Sequence, residues 1–173
     1  MIRQQSSIVI MGVAGCGKSS LGMAVAQQIG MDLIEGDDHH SPESLNKMRQ
    51  GVALTDADRD GWLAALCKAL QRQPAGLVLT CSALKRIYRD RLRQAAPGLR
   101  FVYLDINRVQ ASARVTERAA SHFFSTSLVD SQFATLEPPT GEAGVLRVDA
   151  MAPPAQLKAQ VCAWLGTHNA AVK

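Results

Sequence analysis

Gly12-Val13-Ala14-Gly15-Cys16-Gly17-Lys18-Ser19 has the spacing of a phosphate-binding loop: glycine, four residues, then Gly-Lys-Ser. Small residues let such a backbone curl until several N–H groups face one anion. The reading assigns the nucleotide cradle to Gly12 through Ser19, with Ser20 beside it. Lys18 would reach the β- and γ-phosphates as a point charge, Ser19 would offer its hydroxyl to Mg²⁺, and the following helix would add its positive N-terminal end. The flanks agree with this. Ser7 to Met11 is a short apolar run of strand composition, and Leu21, Val25, Ala26 and Ile29 recur at helical spacing.

The 173 residues suit one domain with a core around a five-stranded sheet. A hydrophobic content of 47% and a charged content of 20% exclude a disordered chain. The net charge of +4 fits an anionic small substrate better than a duplex, so no nucleic-acid partner is expected. Arg86, Arg89, Arg91 and Arg93 cluster on a helical stretch and read as a solvated face. Cys16, Cys67, Cys81 and Cys162 are too scattered for a zinc or redox motif and read as reduced thiols of a cytoplasmic protein, Cys16 being open to modification in the loop. No run approaches the roughly 18 apolar residues of a membrane span, and no signal peptide precedes the first strand.

Further along, Asp32 to Glu35 is a second strand that ends in Gly36-Asp37-Asp38-His39-His40. Polar residues at the carboxyl end of a strand are where ligands bind in an open α/β sheet. Asp37 is suited to orient or deprotonate an acceptor hydroxyl, and His40 to hydrogen-bond a polar substrate. Ser41-Pro42-Glu43 opens a helix with a capping serine, and Thr55 caps another whose apolar stripe is Trp62, Leu63, Leu66, Cys67 and Leu70. Arg59 stands beside that stripe, within reach either of Asp56 or of an anionic substrate. Gly76 to Ser82 is the third strand, and no acidic residue closes it, so the usual Walker B aspartate is missing there. Magnesium is then left to Ser19, phosphates, water and either Asp37 or Asp38.

Leu99 to Leu104 forms the fourth strand and Arg108 to Arg118 a helix. Arg114 and Arg118, four apart, share a face, where they either clamp a transferred phosphoryl group or are satisfied by Glu117 and solvent. Residues 119–127, with His122-Phe123-Phe124, have the composition of a lid that excludes water. A helix from Ser127 to Leu136, a fifth strand from Val145 to Asp149 and a last helix from Pro154 to Leu165, capped by Gly166, complete the chain. The fold class is thus α/β. Residues 6–36, 76–118 and 143–168 form the core, and residues 37–72 form a substrate-binding segment.

The phosphate loop, Gly36 to His40, Lys47-Met48, Asp58-Arg59 and Trp62-Leu63 together resemble the gluconokinase family. Ser82-Ala83-Leu84-Lys85, Tyr88-Arg89, His122-Phe123-Phe124 and Ser131-Gln132-Phe133 continue the match, which runs from Ile8 to about Asp149. The resemblance implies a P-loop fold of the nucleoside monophosphate kinase type, commonly dimeric. It also implies ATP-dependent phosphorylation of D-gluconate at the 6-hydroxyl, giving 6-phosphogluconate and ADP. By the same resemblance His40, Arg59, Lys85 and His122 would face gluconate, Asp37 would sit at the reacting hydroxyl, and Lys18, Arg114 and Arg118 would serve the phosphates. The chain departs from the family pattern at Ser41, Ser44 and Gly61, and its lid is one residue longer between Arg118 and His122. A kinase of a related sugar acid, or a shikimate-like kinase, is the alternative within the fold. A nucleotide-controlled switch is the alternative outside enzymes, but Asn46 to Arg49 lacks the guanine-reading aspartate and Asp58 to Gly61 precedes the third strand.

Overall fold

A computed structural model describes residues 5–118 and 125–170, with side chains to residue 166. Five parallel strands, β1 (Ile8–Met11), β2 (Asp32–Glu35), β3 (Leu77–Thr80), β4 (Arg100–Asp105) and β5 (Val145–Asp149), lie in the order β2-β3-β1-β4-β5. Helices α1 (Lys18–Ile29), α2 (Pro42–Arg49), α3 (Asp56–Gln71), α4 (Arg86–Ala95), α5 (Arg108–Arg118), α6 (Thr126–Thr135) and α7 (Pro154–Ala170) connect or flank them. Parallel strands need crossovers, and these helices cover both faces of the sheet.

Alternation along the strands divides the core. Ile8, Ile10, Val78, Val102 and Leu104 pack on one face with Leu21 and Val25 of α1 and with Leu157 and Val161 of α7. Val9, Met11, Leu77, Leu79, Phe101 and Tyr103 pack on the other with Trp62, Leu63 and Leu66 of α3 and Tyr88 and Leu92 of α4. Each fully buried aliphatic or aromatic side chain contributes roughly 1.5–3 kcal/mol of transfer free energy, so both faces of the sheet stabilise the fold. The free thiols follow the same rule: Cys81 is buried, and desolvation pushes its pKa up to about 12.

The structure corrects four expectations. Arg89 does not lie on a solvated face; it is 0% exposed and is held by Glu142 at 2.5 Å. Its buried neighbours Tyr88 and Leu92 turn this side of α4 inward, and Glu142 supplies the counter-charge that burial requires. Cys16 is 1% exposed, packed under the loop rather than open to reagents. Gly166 does not end α7, which continues to Ala170 because a glycine with helical backbone angles weakens a helix without stopping it. The helix expected from Ser127 begins one residue earlier, at Thr126, inside the stretch assigned to the lid, of which residues 119–124 lie outside the described residues.

Candidate active site

The site is built where β1, β2 and β3 end. β1 runs into the phosphate loop, whose Gly17 caps α1 in the left-handed conformation at φ 97°. Gly15 has φ +82°, and a Cβ there would meet the Ala111 carbonyl at 2.8 Å, so only glycine lets α5 approach the loop this closely. The Lys18 ammonium arches back over the loop and donates to the carbonyls of Gly12 at 3.0 Å and Val13 at 3.1 Å. Ala14 N–H donates to Oε1 of Gln132, on α6, at 2.7 Å.

Ser19 Oγ donates to Glu35 Oε2 at 3.0 Å, and Thr80 Oγ1 donates to the same oxygen. Glu35 is the acidic residue that the sequence reading missed. The register of the β2–β3 pair sets Glu35 opposite Thr80, so the carboxylate absent from the end of β3 is supplied by the neighbouring strand. A hydroxyl and a carboxylate side by side at a helix N-terminus form an oxygen set that suits Mg²⁺. The only signal in the sequence was an acidic side chain closing β2.

Beyond β2 the chain makes a single 3₁₀ turn, Gly36–His39. A Cβ on Gly36 would lie 2.3 Å from the Thr80 carbonyl, so the turn can only press against β3 as glycine. Trp62 Nε1 donates to the Gly36 carbonyl at 2.7 Å, and its ring stacks on His40 with centroids 4.5 Å apart and 14° between planes. His40 Nε2 lies 3.7 Å from Asp37 Oδ1, and its Nδ1 is buried without a hydrogen bond among the described residues. Burial lowers the pKa of His40, a tendency that Asp37 opposes and Arg59 and His39 reinforce.

On α3, Arg59 is 8% exposed and its Nη1 donates to the Tyr88 hydroxyl at 3.5 Å. It does not pair with Asp56 directly. Asp56 instead accepts from Lys85 Nζ at 2.9 Å and from the Tyr88 hydroxyl. These two donors, Tyr88 foremost, hold the Asp56 carboxyl below its usual range, and Asp56 raises the pKa of Lys85. Lys85 follows the Ser82–Leu84 loop, in which Ala83 has φ 46°, a left-handed angle unusual for a residue with a Cβ. Arg89 holds that turn by donating to the carbonyls of Ala83 at 2.7 Å and Leu84 at 3.1 Å.

These elements enclose a cavity of about 480 Å³. Its lining includes Ala14, Lys18, Arg118 and Gln132 together with Asp37, His40, Arg59, Trp62 and Ser82. Arg114 and Arg118 are separated: Arg118 lines the cavity, whereas Arg114 donates to the carbonyls of Gly15 and Cys16 at 3.3 Å and of Ala150 at 3.1 Å. Lys85 is not among the cavity's lining residues, and His122 lies outside the described residues. A second cavity, of about 560 Å³ between Asp105, Gln110, Arg147 and Asp149, contains no part of the phosphate loop.

The parallel sheet in this strand order, the phosphate loop after β1 and the flanking acceptor cleft define a P-loop kinase with the nucleoside monophosphate kinase-like fold. A family model described as an AAA domain matches residues 8–139. The shikimate kinase of Aquifex aeolicus shares the fold at 16% identity, with a TM-score of 0.60 over 96% of this chain and 99% of that one. The gluconokinase of Gluconobacter oxydans is 43% identical over 145 residues, covering 82% of this chain and 80% of the relative. A crystal structure of a gluconokinase from Sinorhizobium meliloti superposes with a TM-score of 0.87 at 44% identity, over 95% of this chain and 94% of that one. The chain belongs to the gluconokinase family.

Proposed function

We propose that this protein transfers the γ-phosphoryl group of ATP to the 6-hydroxyl of D-gluconate, giving 6-phospho-D-gluconate and ADP. The observation that carries the reading is one cavity lined both by Lys18 of the phosphate loop with Arg118 and by Asp37, His40 and the buried Arg59. A small anionic polyol needs a cation and hydrogen-bonding groups on its own side of the cleft, and Arg59 and His40 supply them. The names of the relatives agree with this substrate.

The chain's own groups divide the work. Backbone N–H groups of Gly15 to Ser19 and the N-terminus of α1 bind the phosphates, and Lys18 follows the charge that develops between them. Arg114 braces the loop from its carbonyl side, so its part is to hold the cradle in shape rather than to touch the transferred group. Arg118 borders the transferred group. Asp37, which is exposed to the cavity, orients the acceptor hydroxyl and takes its proton, and neutral His40 stays available as a hydrogen-bonding partner. Ser19 would hold Mg²⁺, backed by Glu35, and the ion would neutralise charge shared by two phosphates. Ser82 borders the acceptor, and Lys85, outside the cavity lining, acts on it through its Asp56 and Tyr88 partners. Free thiols at all four cysteines agree with a reducing cytoplasm.

ADP formation from ATP and Mg²⁺ with a panel of sugar acids, set against a no-acceptor control, tests the reading. Turnover specific to gluconate is expected. Turnover with another sugar acid would redirect the substrate, and acceptor-independent turnover would replace the kinase with a nucleotide switch. In the same assay Asp37→Asn is expected to lose most turnover while ADP binding survives; undiminished turnover would remove Asp37 from the chemistry.

A further inference from the structure

The peptide unit between Val13 and Ala14 is gripped from both sides. Its carbonyl accepts from the Lys18 ammonium at 3.1 Å, and its N–H donates to Gln132 Oε1 at 2.7 Å, a contact between residues 118 apart in sequence. In a trans peptide these two groups point in opposite directions, so Lys18 and Gln132 flank the same stretch of loop. The contact also fixes the orientation of the Gln132 amide. A backbone N–H can only donate, so the amide oxygen must face it, and the amide nitrogen with its two donors must face elsewhere. Among the described residues that nitrogen has no partner, and Gln132 lines the cavity beside Ala14, Lys18 and Arg118.

We propose that Gln132 is a further catalytic residue, one that presents its amide N–H groups to an oxygen of the transferred phosphoryl group while Ala14 holds the amide in register. The inference rests on the kinase reading above. In the step concerned, a bond forms between the acceptor hydroxyl oxygen and the γ-phosphorus. The bond from that phosphorus to the β–γ bridging oxygen breaks, its electron pair leaves with ADP, and the hydroxyl proton passes to Asp37. Gln132 exchanges no proton; it adds two neutral donors to the charges of Lys18 and Arg118 where negative charge spreads. Preorganised donors of this kind are worth roughly 100-fold or more in turnover.

Two near-isosteric variants test it against a purely structural contact. Gln132→Glu keeps an acceptor for Ala14 N–H but removes the donors, and Gln132→Met removes both. With wild-type turnover established first, so that failure of the kinase reading is seen separately, each variant is assayed for kcat, for KM of both substrates and for ADP affinity. The expected result is a loss in kcat of about 100-fold or more for both variants, with the thermal midpoints, and for Gln132→Met the ADP affinity, within experimental error of wild type. Full turnover in Gln132→Met would overturn the proposal, as would a rise in KM for ATP at unchanged kcat in either variant, because the contact would then only shape the loop.

Discussion

Lys85 shows how little of a side chain's role is set by its charge. Its ammonium is tied to Asp56, Asp56 is tied to the Tyr88 hydroxyl, and that hydroxyl receives the buried Arg59, so Asp56 and Arg59 of α3, Tyr88 of α4 and Lys85 just before α4 form one polar string beside the cavity. Removing Lys85 frees Asp56 to draw on Tyr88 and Arg59, both on the acceptor side. Lys85→Ala is therefore expected to raise KM for gluconate about tenfold or more, in keeping with loss of a charge-assisted hydrogen bond, and to leave KM for ATP unchanged. Steady-state kinetics with each substrate varied in turn checks it, and equal losses for both would move Lys85 to the nucleotide side. Phosphate-loop roles could be assigned to Lys18 and Ser19 from sequence because the loop is local. The roles of Glu35, Arg89 and Gln132 could not, since each meets its partner across at least 16 residues.

At the scale of the element, caps and local spacing were legible. Ser41 accepts from Ser44 N–H as the cap of α2, and Thr55 with Asp58 closes a capping box on α3. Asp58 also takes Lys47 from α2 at 2.8 Å, so one carboxylate joins the two helices of the acceptor side. Lys47 and the Thr55 backbone lower its pKa to about 2. A carboxyl with a depressed folded pKa gives stability that is present above its ordinary value near 3.8 and lost as pH falls through 2. Unfolding midpoints should thus decline for the wild type between about pH 4 and 2, and less steeply for Asp58→Asn. Gly61 is a different case. It is exposed within α3, and a Cβ there would meet nothing within 4 Å. The family departure at this position leaves the cavity wall untouched, and Gly61→Ala should stabilise the protein by about 0.5–1 kcal/mol in chemical denaturation, with turnover unchanged.

For the molecule as a whole, one buried ion cluster ties the two ends of the acceptor side together. Arg89 and Arg93 both reach Glu142, which is 5% exposed on its side chain, while Arg89 also donates to the carbonyls of Ala83, Leu84 and Glu137. The cluster thereby fixes the left-handed turn at Ala83, the start of α4 and the segment that follows α6. Glu142→Gln would leave Arg89 charged and buried, which costs about 3–5 kcal/mol and lowers the thermal midpoint by roughly 10 °C. A scanning calorimeter measures this directly, and a change within 2 °C or so would mean that the cluster is replaceable by its carbonyl contacts.

Sequence alone determined the order of strands and helices, the phosphate loop, the N-terminal caps of α2 and α3 and the family, because each is written in spacings of a few residues and in residue types with one conformational use. Only the tertiary structure decided that Glu35 stands beside Ser19, that Arg114 braces the loop while Arg118 lines the cavity, that Arg89 is buried and that Gln132 meets Ala14. The reason is physical: strand order and register bring together residues far apart in the chain, and a charged side chain's burial depends on which counter-charge the fold delivers to it.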